Sequence, residues 1–300
     1  MENSEVWCEL TRSRAKKRCI IATSPVDPPW SCDDTPHSHR MASRRPLNRT
    51  LRALLPSLSV AIVIVIWHLT LLSHPASLVP SPLAVAGALV ELATTGRLFR
   101  YAVASLYRVT WGYLLAAALA IPLGVMLGLR LRVELALNPI VQLLRPISPL
   151  AWMPIAILWF GVGDLSAIFL IFLGSFFPLL VSATTAVRNV DPVFLDAGRN
   201  FGMSGRNLTW NVVYPAILPQ LLAAFRITLG IAWLVVVAAE MISVNSGLGF
   251  LIIDARNAGN RYDLVVAGMV IIGAVGLLLD LGMRKLERLP SVRWGYMDHS

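Results

Sequence analysis

From residue 53 onward the chain is built of long apolar blocks separated by short polar breaks. Residues 53–73 contain no Asp, Glu, Lys or Arg, a run of 21 positions. That is enough helix to cross a hydrocarbon core of about 30 Å. His68 is the one titratable group in it and reads as a neutral buried or interfacial histidine. The proline-rich break from His74 to Pro82 follows, and residues 83–98 predict an amphipathic helix at the outer interface. The second block covers about 103–129, where Gly112, Ala116, Ala120, Gly124 and Gly128 recur every four residues. Such a small-residue stripe lets two helices approach closely in lipid, and Pro122 predicts a bend.

The third block, 135–160, carries Pro139, Pro146, Pro149 and Pro154, so a span broken in its cytoplasmic half and lining a pathway is expected. A tight external turn at Gly161-Val162-Gly163-Asp164 leads into 165–187, which is 23 positions without a charge and has Pro178 as a kink. The fifth and sixth blocks cover about 216–243 and 263–283, joined by an external loop. Together these blocks predict an all-α integral membrane protein with six transmembrane helices.

The longest polar interval after residue 110 is 191–219, between the fourth and fifth blocks. Asp191 suits an N-cap and Pro192 the first helical position. Phe194, Ala197, Gly198 and Phe201 then share one helical face, and Gly202 is a C-terminal stop. Ser204 can cap a second helix running towards Pro215. A helix–turn–helix on the cytoplasmic side of a bundle is a docking element, with an apolar stripe and no chemistry of its own.

Charge supplies the orientation. Arg44, Arg45, Arg49, Arg52, Arg130, Arg132, Arg188, Arg199, Arg206, Arg284, Lys285 and Arg288 fall on one side of the six spans. The other side holds Arg97, Arg100, Arg256 and Arg261, with Arg108 ambiguous. The excess places both termini and the 191–219 loop in the cytoplasm.

The net charge of +9 therefore reflects topology rather than a nucleic-acid surface. Only 14% of residues are charged and the mean hydropathy is +0.66, far from a soluble domain. Cys8, Cys19 and Cys32 are the only cysteines, and their spacing matches no zinc pattern. Residues 1–45 read as a disordered extension without a signal-peptide core. Translation from Met41 is the other reading of that segment. The transmembrane domain is expected over 46–290, with a cytoplasmic tail at 291–300.

Catalytic signatures are absent. The three lysines, Lys16, Lys17 and Lys285, follow no glycine-rich loop, so a nucleotide site of the Walker type has to come from a partner. No His-Glu-x-x-His occurs, and no metal or cofactor is expected. Two charges lie at depth in the fifth block, Arg226 and Glu240, about 21 Å apart along a helix and unable to pair. Each is either a snorkelling side chain or functional: Arg226 as an attraction for an anion, Glu240 as a gate or helix-cap contact. Arg145 is either interfacial or a contact to substrate or the coupling region. Asp280 is placed to pair with Arg284 at i,i+4. Trp152, Trp159 and Trp233 are expected as core rings, either packing residues or pocket walls.

The 191–219 interval resembles the cytoplasmic "EAA" loop of the membrane subunits of bacterial ABC importers. The pattern falls on Asp196-Ala197-Gly198, Gly202, Val212, Tyr214 and Pro215, with Asp for Glu, Gly for the second Ala and Tyr for Leu. Gly198 is expected to loosen its helical turn by about 1 kcal/mol relative to Ala. Further stretches are similar to the nitrate/sulfonate/taurine branch of these permeases. They are Leu144-Arg145-Pro146-Ile147-Ser148-Pro149-Leu150-Ala151-Trp152-Met153-Pro154, Ile157-Leu158-Trp159-Phe160-Gly161-Val162-Gly163, Ala232-Trp233, Val237-Ala238-Ala239-Glu240, Gly247-Leu248-Gly249-Phe250 and Ala255-Arg256.

The resemblance covers about residues 50–290 and implies a homodimeric inner-membrane permease. It further implies that cytoplasmic ATPase subunits dock on the 191–215 loop and that an extracytoplasmic binding protein delivers a small anion. An aliphatic sulfonate, taurine or nitrate is the implied cargo, and the candidate pathway residues are Arg145, Trp152, Arg226, Trp233 and Glu240. Two rivals make different demands. A secondary transporter or channel would need no ATPase, and an intramembrane enzyme would need a buried nucleophile beside a base.

Overall fold

A computed structural model describes residues 19–20, 31–32, 58–59, 61–70, 79–257 and 259–287. The chain divides into two units, Met1–Val60 and Ala61–Ser300. In the first, Cys19–Ile20 (β1) pairs antiparallel with Ser31–Cys32 (β2). The rest of the expected extension, the alternative start at Met41 and the tail at 291–300 lie outside the described residues. Every described element of the second unit is helical.

The described part of the first apolar block is α1 (Ala61–Thr70), whose Trp67 packs on the main core. The flanks of this expected span lie outside the described residues. Ser81 caps α2 (Pro82–Thr94) by accepting the N–H of Ala84 at 3.2 Å, and Pro82 occupies the first position. The helix ends at Thr94 rather than at 98, because Gly96 adopts φ +69 and turns the chain into the next helix.

Helix α3 (Arg97–Leu129) is 33 residues and about 50 Å long. It contains Pro122 without interruption. Its small-residue stripe lies against α6 (Asp164–Arg188). A Cβ on Gly112 would sit 2.8 Å from the Ile168 carbonyl oxygen, and one on Gly124 would sit 2.8 Å from that of Leu180. The backbones touch where lipid offers no hydrophobic drive to hold helices together.

The third block is broken as its prolines predict. Helix α4 (Leu131–Leu144) stops at Arg145, and a 3₁₀ turn at Pro149–Trp152 leads into α5 (Met153–Phe160). The two arms are bent by 84°. Beyond α6, the polar interval forms α7 (Pro192–Asn200) and α8 (Gly205–Leu208). A π-helical turn at Thr209–Val213 then passes directly into α9 (Tyr214–Ser243). The second arm of the interval and the fifth span are thus one helix of 39 residues, Gly205–Ser243, not two elements parted at Pro215.

The expected external loop after α9 is instead α10 (Leu248–Asn257), followed by α11 (Tyr262–Glu287). Leu248, Leu251, Ile252 and Ala255 fall at helical spacing and are buried in the main core. That core is drawn from α2, α3, α5, α6, α9, α10 and α11.

Candidate functional site

Three places bear on function: the 191–215 interval, a buried polar cluster, and a cleft at the break in the third block.

In the interval, Asp191 caps α7 as its sequence suggests, accepting the N–H of Val193 at 2.9 Å. Gly202 follows the helix with φ +77, a backbone that side chains resist. Ser204 makes no side-chain cap. The expected apolar stripe divides. Gly198 is buried, with Leu195 half-buried against the adjoining core. Ala197 is exposed, as are Phe194 at 52% and Phe201 at 84%.

Gly198 has a packing role beside the expected loosening of its turn. A Cβ there would lie 2.6 Å from Leu208 Cδ1 and 3.1 Å from Val212 Cγ2, so glycine lets α7 seat closely on α8 and the π turn. Asp196 is exposed and pairs with Arg199 at 3.1 Å. Pro215 is exposed near the start of α9. The interval is therefore a tightly packed hairpin that presents aromatic rings outward.

The polar cluster centres on Arg108, which is 1% exposed, and Glu240, which is 0% exposed. Arg108 Nη1 donates to Glu240 Oε1 at 2.6 Å, and Arg108 Nε donates to Asp164 Oδ1 at 2.8 Å. Nη1 also donates to the Ser246 carbonyl at 2.8 Å, and Nη2 donates to the Ser246 hydroxyl. Glu240 Oε2 accepts from Ser105 Oγ and from the Gly249 N–H, each at 2.9 Å. The Leu248 N–H donates to Ser105 Oγ at 2.9 Å.

The first backbone donors of α10 are thus satisfied by side chains from α9 and α3. This explains the Gly247-Leu248-Gly249 spacing. A Cβ at Gly247 would collide with the Glu240 carboxylate, and one at Gly249 with the Val237 carbonyl. Glu240 is accordingly buried rather than snorkelling, and of its functional readings it makes the helix-cap contact. Arg108, ambiguous by sequence, is its partner. Apolar neighbours hid that pairing, which no linear spacing could have shown.

The five candidate pathway residues separate. Arg226 lies against α11, with its Nε donating to Asp280 Oδ1 at 2.6 Å and Nη1 reaching Glu287 at 3.5 Å. Asp280 therefore bridges Arg226 and Arg284 rather than serving Arg284 alone. Trp233 is buried and donates its indole N–H to the Ile272 carbonyl at 3.1 Å. Trp159 is 63% exposed and is not a core ring.

Arg145 and Trp152, by contrast, come together. They line a cleft of about 160 Å³ at the break between α4 and the 3₁₀ turn, closed by Phe177 and Pro178 of α6 and Ile231 of α9. Among the described residues no group of His, Cys, Asp and Glu is arranged to hold a metal.

Comparison with known proteins places this architecture. Residues 120–291 match the family described as binding-protein-dependent transport system inner membrane component. The taurine transport system permease protein of Escherichia coli K12 is 36% identical over 260 residues, covering 84% of this chain and 93% of that protein. The nitrate import permease protein of Synechocystis is 35% identical, covering 78% and 88%. A chain of an inward-facing structure of the MetNI methionine ABC transporter superposes with a TM-score of 0.58. It is 18% identical and covers 65% of this chain and 97% of that one, which is a likeness of fold. In such importers a separate ATPase hydrolyses the nucleotide, and a substrate-binding protein delivers the cargo. The chain belongs to the family of binding-protein-dependent inner-membrane transport components and is a multi-pass permease subunit of an ABC importer.

Proposed function

We propose that this subunit works as a homodimer forming the path for a small oxyanion, an aliphatic sulfonate or taurine, or nitrate. The relatives named for taurine and nitrate support that cargo class. The 191–215 loop is the handle by which ATPase subunits move the bundle. Phe194, Ala197 and Phe201 present its docking face, and Gly198 with Val212 keeps α7 seated on the helix behind. Asp196 with Arg199 holds the exposed rim, Gly202 closes α7, and Pro215 lies where the loop joins the span. Closure of the ATPases would draw two such loops together and switch the path between inward and outward access. Both termini lie in the cytoplasm, a reading carried by the excess of arginine on that side.

The observation that carries this reading is the pair of exposed phenylalanines on a hairpin continuous with a span. Replacing both with serine is expected to release the ATPase on purification and to abolish ATP-dependent uptake in proteoliposomes. Uptake that persists at the unmodified rate would remove the loop from the mechanism.

A further inference from the structure

We infer that the cleft beside Arg145 is a cargo subsite selective for a short organic monoanion, a sulfonate or carboxylate on a small apolar body. The inference rests on the proposed function and narrows it.

Its chemistry comes from four observations. Arg145 is exposed, and no acidic partner engages it among the described residues, whereas Arg226 is paired by Asp280 and Glu287. Of the two candidate arginines, Arg145 is therefore the one whose charge is available to an incoming anion. A guanidinium fork also matches the geometry of sulfonate and carboxylate oxygens. The second observation is the wall, where Phe177, Pro178 and Ile231 offer apolar surface and Trp152 adds its ring. An anion with a hydrocarbon portion gains from that burial, and nitrate does not.

Third, among the described residues no carboxylate lines the cleft. A zwitterion such as taurine would bury its ammonium without a partner, at a cost that a plain alkanesulfonate avoids. Fourth, about 160 Å³ is well below the roughly 300–1,000 Å³ of sites for drug-sized ligands. The part of the occupant seated in the cleft has few heavy atoms.

The position suits a transport site. The cleft lies where α4 gives way to the 3₁₀ turn, so its mouth is set by the angle between two arms bent by 84°. Pro178 of α6 and Ile231 of α9 complete it, and these are the two spans joined by the 191–215 interval. A movement of that interval would change the cleft without any linker in between.

The test uses the permease–ATPase complex in phosphatidylcholine nanodiscs, titrated with propanesulfonate, taurine and sodium nitrate by calorimetry and tryptophan fluorescence. Propanesulfonate is expected to bind saturably and to perturb tryptophan emission, with taurine and nitrate at least tenfold weaker. Arg145→Gln is expected to weaken propanesulfonate at least tenfold, and Arg145→Lys to restore part of the loss. Trp152→Phe is expected to remove most of the emission change while binding persists.

Equal binding by Arg145→Gln, or nitrate binding as tightly as propanesulfonate, would overturn the inference. Replacing a third of the lipid with phosphatidylglycerol is expected to leave binding unchanged. Competition by that lipid would reassign the cleft to a headgroup and overturn it as well. Retention of the ATPase by the unmodified chain is scored separately. Its loss would refute the permease–ATPase reading and the cleft with it, whereas retention without anion binding would refute the cleft alone.

Discussion

The Glu240 carboxylate accepts the backbone N–H of Gly249 at 2.9 Å across only nine residues, closing the chain between α9 and α10 on itself. The same carboxylate holds Arg108 and Ser105 of α3, so one fully buried acid ties three helices together. Breaking such a group from one side leaves an uncompensated charge, which costs about 3–5 kcal/mol. Arg108→Leu alone is expected to lower the detergent unfolding temperature steeply. Arg108→Leu combined with Glu240→Leu should cost less than the two single changes summed. Strict additivity in a double-mutant cycle would show that the pair is not coupled.

Gly124 is one of the three glycines at which α3 closes on α6. A Cβ there meets Ala183 Cβ at 2.6 Å and the Leu180 carbonyl at 2.8 Å, and neither belongs to a flexible side-chain end. Gly124→Val is expected to destabilise the bundle by about 1–3 kcal/mol through overpacking. Gly230, with nothing within 4 Å, is the control: Gly230→Ala should be neutral or mildly stabilising in the same thermal assay.

Gly198 should respond in steps. Its nearest neighbour is the end of the flexible Leu208 side chain, which can turn aside for a single methyl group. Gly198→Ala is expected to retain ATPase binding, with the gain in helix propensity offsetting the contact. Gly198→Leu should lift α7 off the π turn and reduce ATPase co-purification severalfold. Full retention by the leucine variant would show that seating α7 does not matter.

Arg226 is expected to be silent in cargo recognition because its charge is already engaged by Asp280 and Glu287. Arg226→Gln should leave the half-saturation concentration for the transported anion unchanged. A tenfold increase would put Arg226 in the path and contradict the ion pairing with α11.

Much of this fold was legible in the sequence because lipid imposes so few solutions. Apolar blocks marked the spans, and the four-residue recurrence from Gly112 to Gly128 showed which face of α3 meets a neighbour. Asp191, Pro192 and Gly202 bounded α7 because capping is local chemistry. What stayed hidden was tertiary. Arg108 and Glu240 lie 132 residues apart, and nothing between them signals their pairing. Helix α10 was missed although Leu248, Leu251, Ile252 and Ala255 carry helical spacing, because the surrounding Asn, Ser and Gly residues suggested a loop. The partition of Phe194 and Phe201 from Gly198 was also out of reach, since it depends on where Leu208 and Val212 pack.

The wide turn at Thr209–Val213 has a mechanical consequence. From Gly205 to Ser243 the chain is a rod of about 58 Å with no hinge loop, so a push at its Gly205 tip is felt at the far end. A soft knuckle lies where five residues wind in a wider turn, with Pro219 shortly beyond it. Rewinding that coil to ordinary pitch would rotate everything beyond it about the rod's axis, a motion of twist rather than tilt.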